Sequence, residues 1–480
     1  MHAGLAFQAR PHSNGRRGAR LTAAAALAVL GGLFGQPAAA QLPQGQPLPA
    51  VTELVSSSSA ELAGNEDSSD PSVDAAAFLI AFESRASNLV PNDTNDPTPG
   101  QIGGGKDVFV RNRGTGTTSR VSISDTQAQA NSDSDEASIS ADGLRVAFTS
   151  SAFNLVANDT NDATDIFVRD RGAGTTTRVS VPSFGTKTNA NDDSGNASIS
   201  ADGQWVAFTS SASNLTLGDT NGANDVFVHN IPGRFTRRVS LSSTEANGNQ
   251  RSTSASISGD GRYVAFLSEA TNLVPNDTND PTPGQIGGGR DVFVRDQQAG
   301  TTTRVSVRSN GAQATGRDSS SPAISADGRW VAFASGATNL VNNDVNDSDD
   351  VFLHDRVSGA TRLASRSTTG EQASTGSLSP AISADGRWVA FTSRAANLVP
   401  SDTNNDFDVF RYDRVTQSTG RFSLTTSGGQ TAPGGSSDSP TISADGSKIA
   451  FDSDATNMGP ANGLITHDVF LRRPDPEVAA

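Results

Sequence analysis

One nine-residue phrase recurs along this chain and fixes what it can fold into. Ser325-Ala-Asp-Gly-Arg-Trp-Val-Ala-Phe333 returns almost unchanged from Ser383 to Phe391, and near-copies begin at Ser140, Ser200, Ser258 and Ser443. A worn copy, Ser72-Val-Asp-Ala-Ala-Ala-Phe-Leu-Ile-Ala-Phe82, stands first and makes seven. Asp-Gly ahead of an alternating apolar run is a strong hairpin signal, because a two-residue primed turn needs positive φ. Each copy therefore predicts a strand, a tight two-residue turn and a second strand. The turn Asp falls at positions 142, 202, 260, 327, 385 and 445, so one repeating unit of about 60 residues fills the chain.

The whole unit is clearest around the third copy. Ala197 to Ser200 reads as a first strand, Trp205 to Ser210 as a second, Asp225 to Asn230 as a third and Arg237 to Ser242 as a fourth. Third strands recur seven times, beginning at Asp107, Asp165, Asp225, Asp291, Asp350, Asp408 and Asp468. Fourth strands recur only six times, near Arg120, Arg178, Arg238, Arg304, Arg362 and Arg421. The missing seventh is Thr52-Glu-Leu-Val-Ser56, stranded before the first unit. A circular array does this when its first and last segments share a blade. The expected fold is all-β: a seven-bladed β-propeller of four-stranded blades, its ring closed by the N-terminal strand joining the last blade. A linear solenoid would give no reason for complementary half-units at the two ends. With 47 glycines, 22 prolines and no long apolar run, the composition fits many short strands joined by turns. In the repeated Val-Ala-Phe, Val146 and Phe148 are expected to pack against one neighbouring blade and Ala147 to let the other come close.

The phrase Ser-Ala-Asp-Gly-Arg-Trp-Val-Ala-Phe, followed by Asp-Val-Phe-Leu-His-Asp and Thr-Arg-Leu, resembles the WD-repeat-like propeller repeat of TolB-type proteins. That family's turn is Ser-Pro-Asp-Gly, followed by Ala-Phe, Asp-Ile-Tyr and Arg-Leu-Thr strands. The likeness runs over roughly residues 51 to 473 and implies the propeller fold. Ala replaces Pro before the Asp, seven units replace six, and nothing matches TolB's N-terminal α/β domain.

Residues 1–40 read as a signal peptide: four arginines and no acid before residue 21, an apolar Leu21 to Phe34, and small residues to Ala40. Residues 41–50 are a Pro/Gln linker, 51–473 the propeller and 474–480 a tail. The chain is thus expected to be exported, periplasmic or extracellular after cleavage near Ala40, with no membrane span in the mature protein and as a monomer. The mature chain would carry 32 Lys and Arg against 51 Asp and Glu, which disfavours nucleic acid as a partner. A protein or cell-envelope partner, or metal cations, suits it better. It has no cysteine, so its stability must come from the core.

Chain connectivity puts the short turns on one rim and the long polar loops on the other, where function on such a scaffold concentrates. The loops between second and third strands carry Asp-x-Asn-x-x-x-Asp: Asp159, Asn161 and Asp165; Asp219, Asn221 and Asp225; Asp344, Asn346 and Asp350; Asp402, Asn404 and Asp408. Hard oxygens at positions 1, 3 and 7 suit Ca²⁺, which takes six to eight such ligands. The same residues also make Asx turns and cap backbone amides. In units one and four a Gly-rich insertion separates Asp93 from Asp107 and Asp277 from Asp291, so those loops are weaker candidates, and unit seven has none. The Asn before Leu (Asn88, Asn154, Asn214, Asn272, Asn339, Asn397) is expected to bond loop backbone.

No catalytic residue is nominated. His229 and His354 read as surface variation, and no G-x-S-x-G elbow appears. The sequence thus points to a non-catalytic binding scaffold using an acidic long-loop rim. The alternative is a secreted carbohydrate-active hydrolase or lyase with its site in the central channel. Channel walls of carboxylates and arginines would favour the enzyme, and walls of Ser and Ala the scaffold.

Overall fold

The computed structural model describes residues 50–94, 105–183, 189–278, 289–459 and 467–474. The signal-peptide and linker expectations, and nearly all of the tail, lie outside them. Seven separate four-stranded antiparallel sheets form a ring of blades, a β-propeller. Blade two is typical. From the channel outward its strands are Ser134–Ile139, Arg145–Ser150, Asp165–Asp170 and Thr175–Arg178.

The ring closes as the strand count requires. Ala50–Leu54 pairs with Asp468–Pro474 in the register Ala50 opposite Pro474 through Leu54 opposite Phe470, and forms the outer strand of blade seven. Val55 continues the contact, its N–H donating to the Val469 carbonyl (2.8 Å). Ser56 then reaches Asp468, as Ser180 reaches Asp165 in blade two.

The core lies between blades, each a layer packed on the next. Val146 and Phe148 join Ala81, Val108 and Val110 of blade one, whereas Ala147 faces Val206 and Phe208 of blade three. The repeated Val-Ala-Phe therefore splits its side chains as period-2 geometry requires. Phe148 lies opposite Phe167 on the neighbouring strand, ring centroids 5.8 Å apart, and an equivalent pair recurs in every blade.

The Asp-Gly turn differs from the two-residue hairpin expected. Strands in blade two end at Ile139 and resume at Arg145, leaving five residues. The Gly143 N–H bonds the Ser140 carbonyl (2.8 Å), and of these residues Gly143 alone has positive φ, 68°. The Asp142 side chain holds the remainder, accepting from Ser140 Oγ (2.6 Å) and the Leu144 N–H (2.9 Å). The longer turn serves the neighbouring blade. At Gly386, where φ is 68°, a Cβ would lie 2.2 Å from Trp330 Cδ1 of the preceding blade. Tryptophan at that slot is thus a side chain laid on the next blade's turn, and Trp330 is buried.

Alanine in place of the family's proline also has a reason. The Ala75 N–H donates to the Ala141 carbonyl and that of Ala141 to Ala201. The circle continues through Asp202, Gly259, Ala326, Ala384 and Ala444 and returns to Ala75, at 2.9 to 3.1 Å for each bond. Proline lacks the N–H and would break this belt. Seven backbone bonds, one per blade junction, tie the short-turn end of the channel.

Candidate functional site: the acidic loops and the channel mouth

The long-loop rim begins with one buried cluster per blade. In blade two, Arg178 Nη1, at the end of the outer strand, donates to Asp159 Oδ1 (2.6 Å) and Asp165 Oδ2 (2.9 Å), with all three side chains at most 5% exposed. Asn161 Nδ2 donates to Asp165 Oδ2 (3.0 Å) and the Ala190 carbonyl (3.2 Å), and Ser180 Oγ to Asp165 Oδ1 (2.5 Å). Blade three repeats this with Arg238 on Asp219 (2.9 Å) and Asp225 (3.5 Å), and Asn221 on Asp225 (3.2 Å). In blade six Arg421 lies 3.2 Å from both Asp402 and Asp408, while Asn404 Nδ2 donates to Thr431 Oγ1 (2.9 Å). Arg120 and Arg304 serve Asp93 with Asp107 and Asp277 with Asp291 in the blades with insertions.

In blades two, three and six the first and seventh loop residues thus converge, as a ligand reading requires, but in all five blades the cation between the two carboxylates is a guanidinium. Burial pushes Asp159, Asp219 and Asp225 up, against the pull of their arginines. Blade five differs. Leu363 stands opposite Phe352, where Arg178 stands opposite Phe167. Gln372 Nε2 donates to Asp344 Oδ1 (2.6 Å) and Asp350 Oδ2 (2.7 Å), as Gln129 does to Asp93 and Asp107 beside Arg120 in blade one, and Asn346 Nδ2 donates to the Ala373 carbonyl (2.8 Å). Burial pushes Asp350 up to about 6. Among the described residues, no three His, Asp or Glu side chains gather closely enough to share a metal ion.

Asparagine before Leu bonds loop backbone as expected. Asn88 Nδ2 donates to the Ala63 carbonyl (2.8 Å) and its Oδ1 accepts the Asn65 N–H (3.0 Å), with the same pair of bonds at Asn154, Asn214, Asn272, Asn339 and Asn397. The histidine expectation needs correction. His229 and His354 are buried, not surface, each with Nδ1 against a threonine hydroxyl (3.0 and 2.9 Å). Burial lowers both to about 4, so they are neutral at neutral pH.

A feature absent from the sequence expectations is the channel mouth on the long-loop side. Each inner strand bulges, and the bulge residue has left-handed φ: 47° at Asp70, 50° at Glu136, 55° at Asn196 and 54°, 48°, 48° and 47° at Ser254, Ser321, Ser379 and Ser439. All of these but Ser254, with Pro71, Ala137, Ala197, Pro380 and Pro440, line a cavity in the channel. Its wall is mostly Ser, Ala and Pro, with acids on one side and no arginine. Burial and the charge of Glu83 push Asp70 up to about 6, and the same two causes act on Asp135, also raised to about 6. The signal was present as Glu83 and Asp452, where blade two has Thr149, but a one-residue bulge hides which inner-strand side chains meet them.

The fold therefore defines a seven-bladed β-propeller. No family model and no curated protein sequence matches the chain. Similar solved structures include TolB from Acinetobacter baumannii, 14% identical over 65% of this chain and 60% of that one, TM-score 0.35. An oligogalacturonate lyase in complex with manganese is 10% identical over 90% and 92%, TM-score 0.47. The β-propeller domain of the trilobed protease from Pyrococcus furiosus is 9% identical over 85% and 95%, TM-score 0.48. The alignment spans less than two thirds of the Acinetobacter TolB chain, and the likeness to all three extends to the fold alone.

Proposed function

We propose that this chain is an exported, non-catalytic interaction scaffold that binds a protein or cell-envelope partner through its acidic long-loop rim. The observation that carries this reading is the asymmetry of the two ends. The short-turn end is tied by the alanine belt, while the long-loop end opens a channel mouth with Asp70 and Glu136 in its wall. A fixed acidic surface attracts basic partners and speeds their encounter. Calcium belongs to this reading only in blade five, where Leu363 leaves Asp344 and Asp350 without a guanidinium. Asp159, Asp219 and Asp402 already have one.

Affinity capture from envelope extract, with the wild-type chain and an Asp70→Asn, Glu136→Gln variant as paired baits, tests the reading. One partner retained by the wild type and lost by the folded variant is expected. Equal retention by both, or cleavage of an added polysaccharide by the wild type, would overturn it.

A further inference from the structure

One position of the second strand carries an acid only where a cation stands beside it. Blade one has Glu83 there and blade seven Asp452, whereas blades two to six have Thr149, Thr209, Leu267, Ala334 and Thr392. Glu83 Oε1 takes Lys106 Nζ (2.7 Å), from the residue just before the third strand. In blade seven that residue is His467. Its Nδ1 lies 3.6 Å from Asp452 Oδ2 and its Nε2 3.8 Å from Asp454 Oδ2. The permanent cation of blade one is thus replaced by a side chain whose ordinary titration falls near neutral pH.

His467 also stands where the two ends of the ring meet. Its N–H donates to Asp67 Oδ1 (3.0 Å) and its carbonyl accepts the Ser68 N–H (2.8 Å), both at the start of blade one. Asp468, the next residue, accepts from Ser56 Oγ of the N-terminal segment (2.7 Å).

The charged groups around the imidazole are mostly acids. Asp452 and Asp454 come from the end of the second strand of blade seven, Asp438 stands opposite Asp452 on the inner strand, and blade one brings Asp67 and Asp70. Exposed Glu66 and Arg85 flank them, Arg85 with its N–H on the Asp67 carbonyl (2.9 Å). Arg472 and Arg473 are engaged at the far end of the third strand, on Thr52 and Glu53. Among the described residues no lysine or arginine pairs with Asp452, which is 5% exposed. Loss of the imidazolium therefore leaves a buried carboxylate without its counter-charge, a costly state.

We propose that His467 is a pH-sensitive latch on the junction that closes the ring: as imidazolium it ties Asp452 and Asp454 to the start of the third strand, and as neutral imidazole it releases them. Contact with Asp452 raises His467 above its ordinary value, with Asp454 and Asp67 adding to the effect and burial opposing it. Its contribution to closure is full below the ordinary histidine value of about 6.5, and is lost as pH rises through the raised value.

Hydrogen exchange on the full-length protein tests this by comparing Ser68, whose N–H bonds the His467 carbonyl, with Ser134, whose N–H bonds the Lys106 carbonyl (both 2.8 Å). Following both amides in one sample cancels the intrinsic effect of pH on exchange. The ratio of Ser68 to Ser134 rates is expected to rise at least about threefold from pH 5.5 to 8 in the wild type. His467→Lys should leave the ratio flat, and His467→Gln should raise it at both ends of the range. Asp70 and Asp468, each pushed up to about 6, titrate in all three proteins, so the difference between them isolates the imidazole. A wild-type ratio that does not change with pH would overturn the latch without any variant having to fold, and so would an equal rise in His467→Lys.

Discussion

Replacing Ser56 by Ala should destabilise the whole ring, although Ser56 is only the seventh described residue. Its side chain is fully buried. Oγ donates to Asp468 Oδ1 (2.7 Å) and accepts the Val469 N–H (3.0 Å), so the substitution leaves one buried acceptor and one buried donor unsatisfied. Each such group costs about 1 to 3 kcal/mol, or about 2 to 6 kcal/mol together. The space vacated by a hydroxyl oxygen is too small for a water to restore both bonds. At about 2.1 cal/mol/K of unfolding entropy per residue, a propeller of this size should lose roughly 2 to 7 °C of Tm. The control is Ser180→Ala in blade two, where Oγ likewise bonds Asp165 (2.5 Å) and the Ile166 N–H (3.0 Å). Differential scanning calorimetry of both variants should give losses of the same size. A loss for Ser180→Ala with none for Ser56→Ala would show that the N-terminal strand does not close the ring.

Arg178→Met should cost about 3 to 5 kcal/mol in urea denaturation, since it leaves Asp159 and Asp165 buried without their counter-charge; adding Asp159→Asn and Asp165→Asn should recover much of it. Ala384→Pro removes the N–H that bonds the Ala444 carbonyl (3.1 Å) and should cost about 1 kcal/mol, and an unchanged Tm would deny the belt a role in stability. Thermal stability should rise as pH falls from 7 towards 4.5. Burial pushes Asp107, Asp350 and Asp468 up to about 6, so between the ordinary carboxylate range and 6 the folded chain holds protons that the unfolded chain releases. The opposite sign holds for Asp296, which Arg262 lowers to about 2, so its contribution is lost only as pH falls from the ordinary range through 2. If calcium binds at blade five, millimolar Ca²⁺ raises Tm and Leu363→Arg abolishes that response; a response unchanged by Leu363→Arg would exclude this loop.

The ring was legible because its evidence is arithmetic: seven third strands, six fourth strands and one stray segment at Thr52 admit few other closures. Phe148 and Ala147 were legible because alternation along a strand fixes the face of each side chain. The turn was less so. Asp-Gly suits a two-residue hairpin, but the tryptophan of the preceding blade and the belt of alanine amides act across a blade junction, and local propensity does not see them. The histidines misled for a related reason, since His229 occupies a slot filled elsewhere by Arg169 and Arg295, whose stems are also buried. The Asp-x-Asn-x-x-x-Asp pattern located a true convergence of carboxylates, but the arginine between them arrives from the outer strand, 13 residues beyond Asp165. In the channel, the bulge shifts the inner-strand register by one, so Asp70 and Glu136 reach the mouth from positions that plain alternation would not select.

Native-state hydrogen exchange at the N-terminal strand tests the account most directly, because both the closed ring and the mouth beside blade seven depend on it. The amides of Val55 and of Leu471, which faces Glu53, should be protected to the same degree as those of Val179 and Val168 in blade two. Exchange at Val55 within seconds, with blade two still protected, would contradict the closed seven-bladed ring.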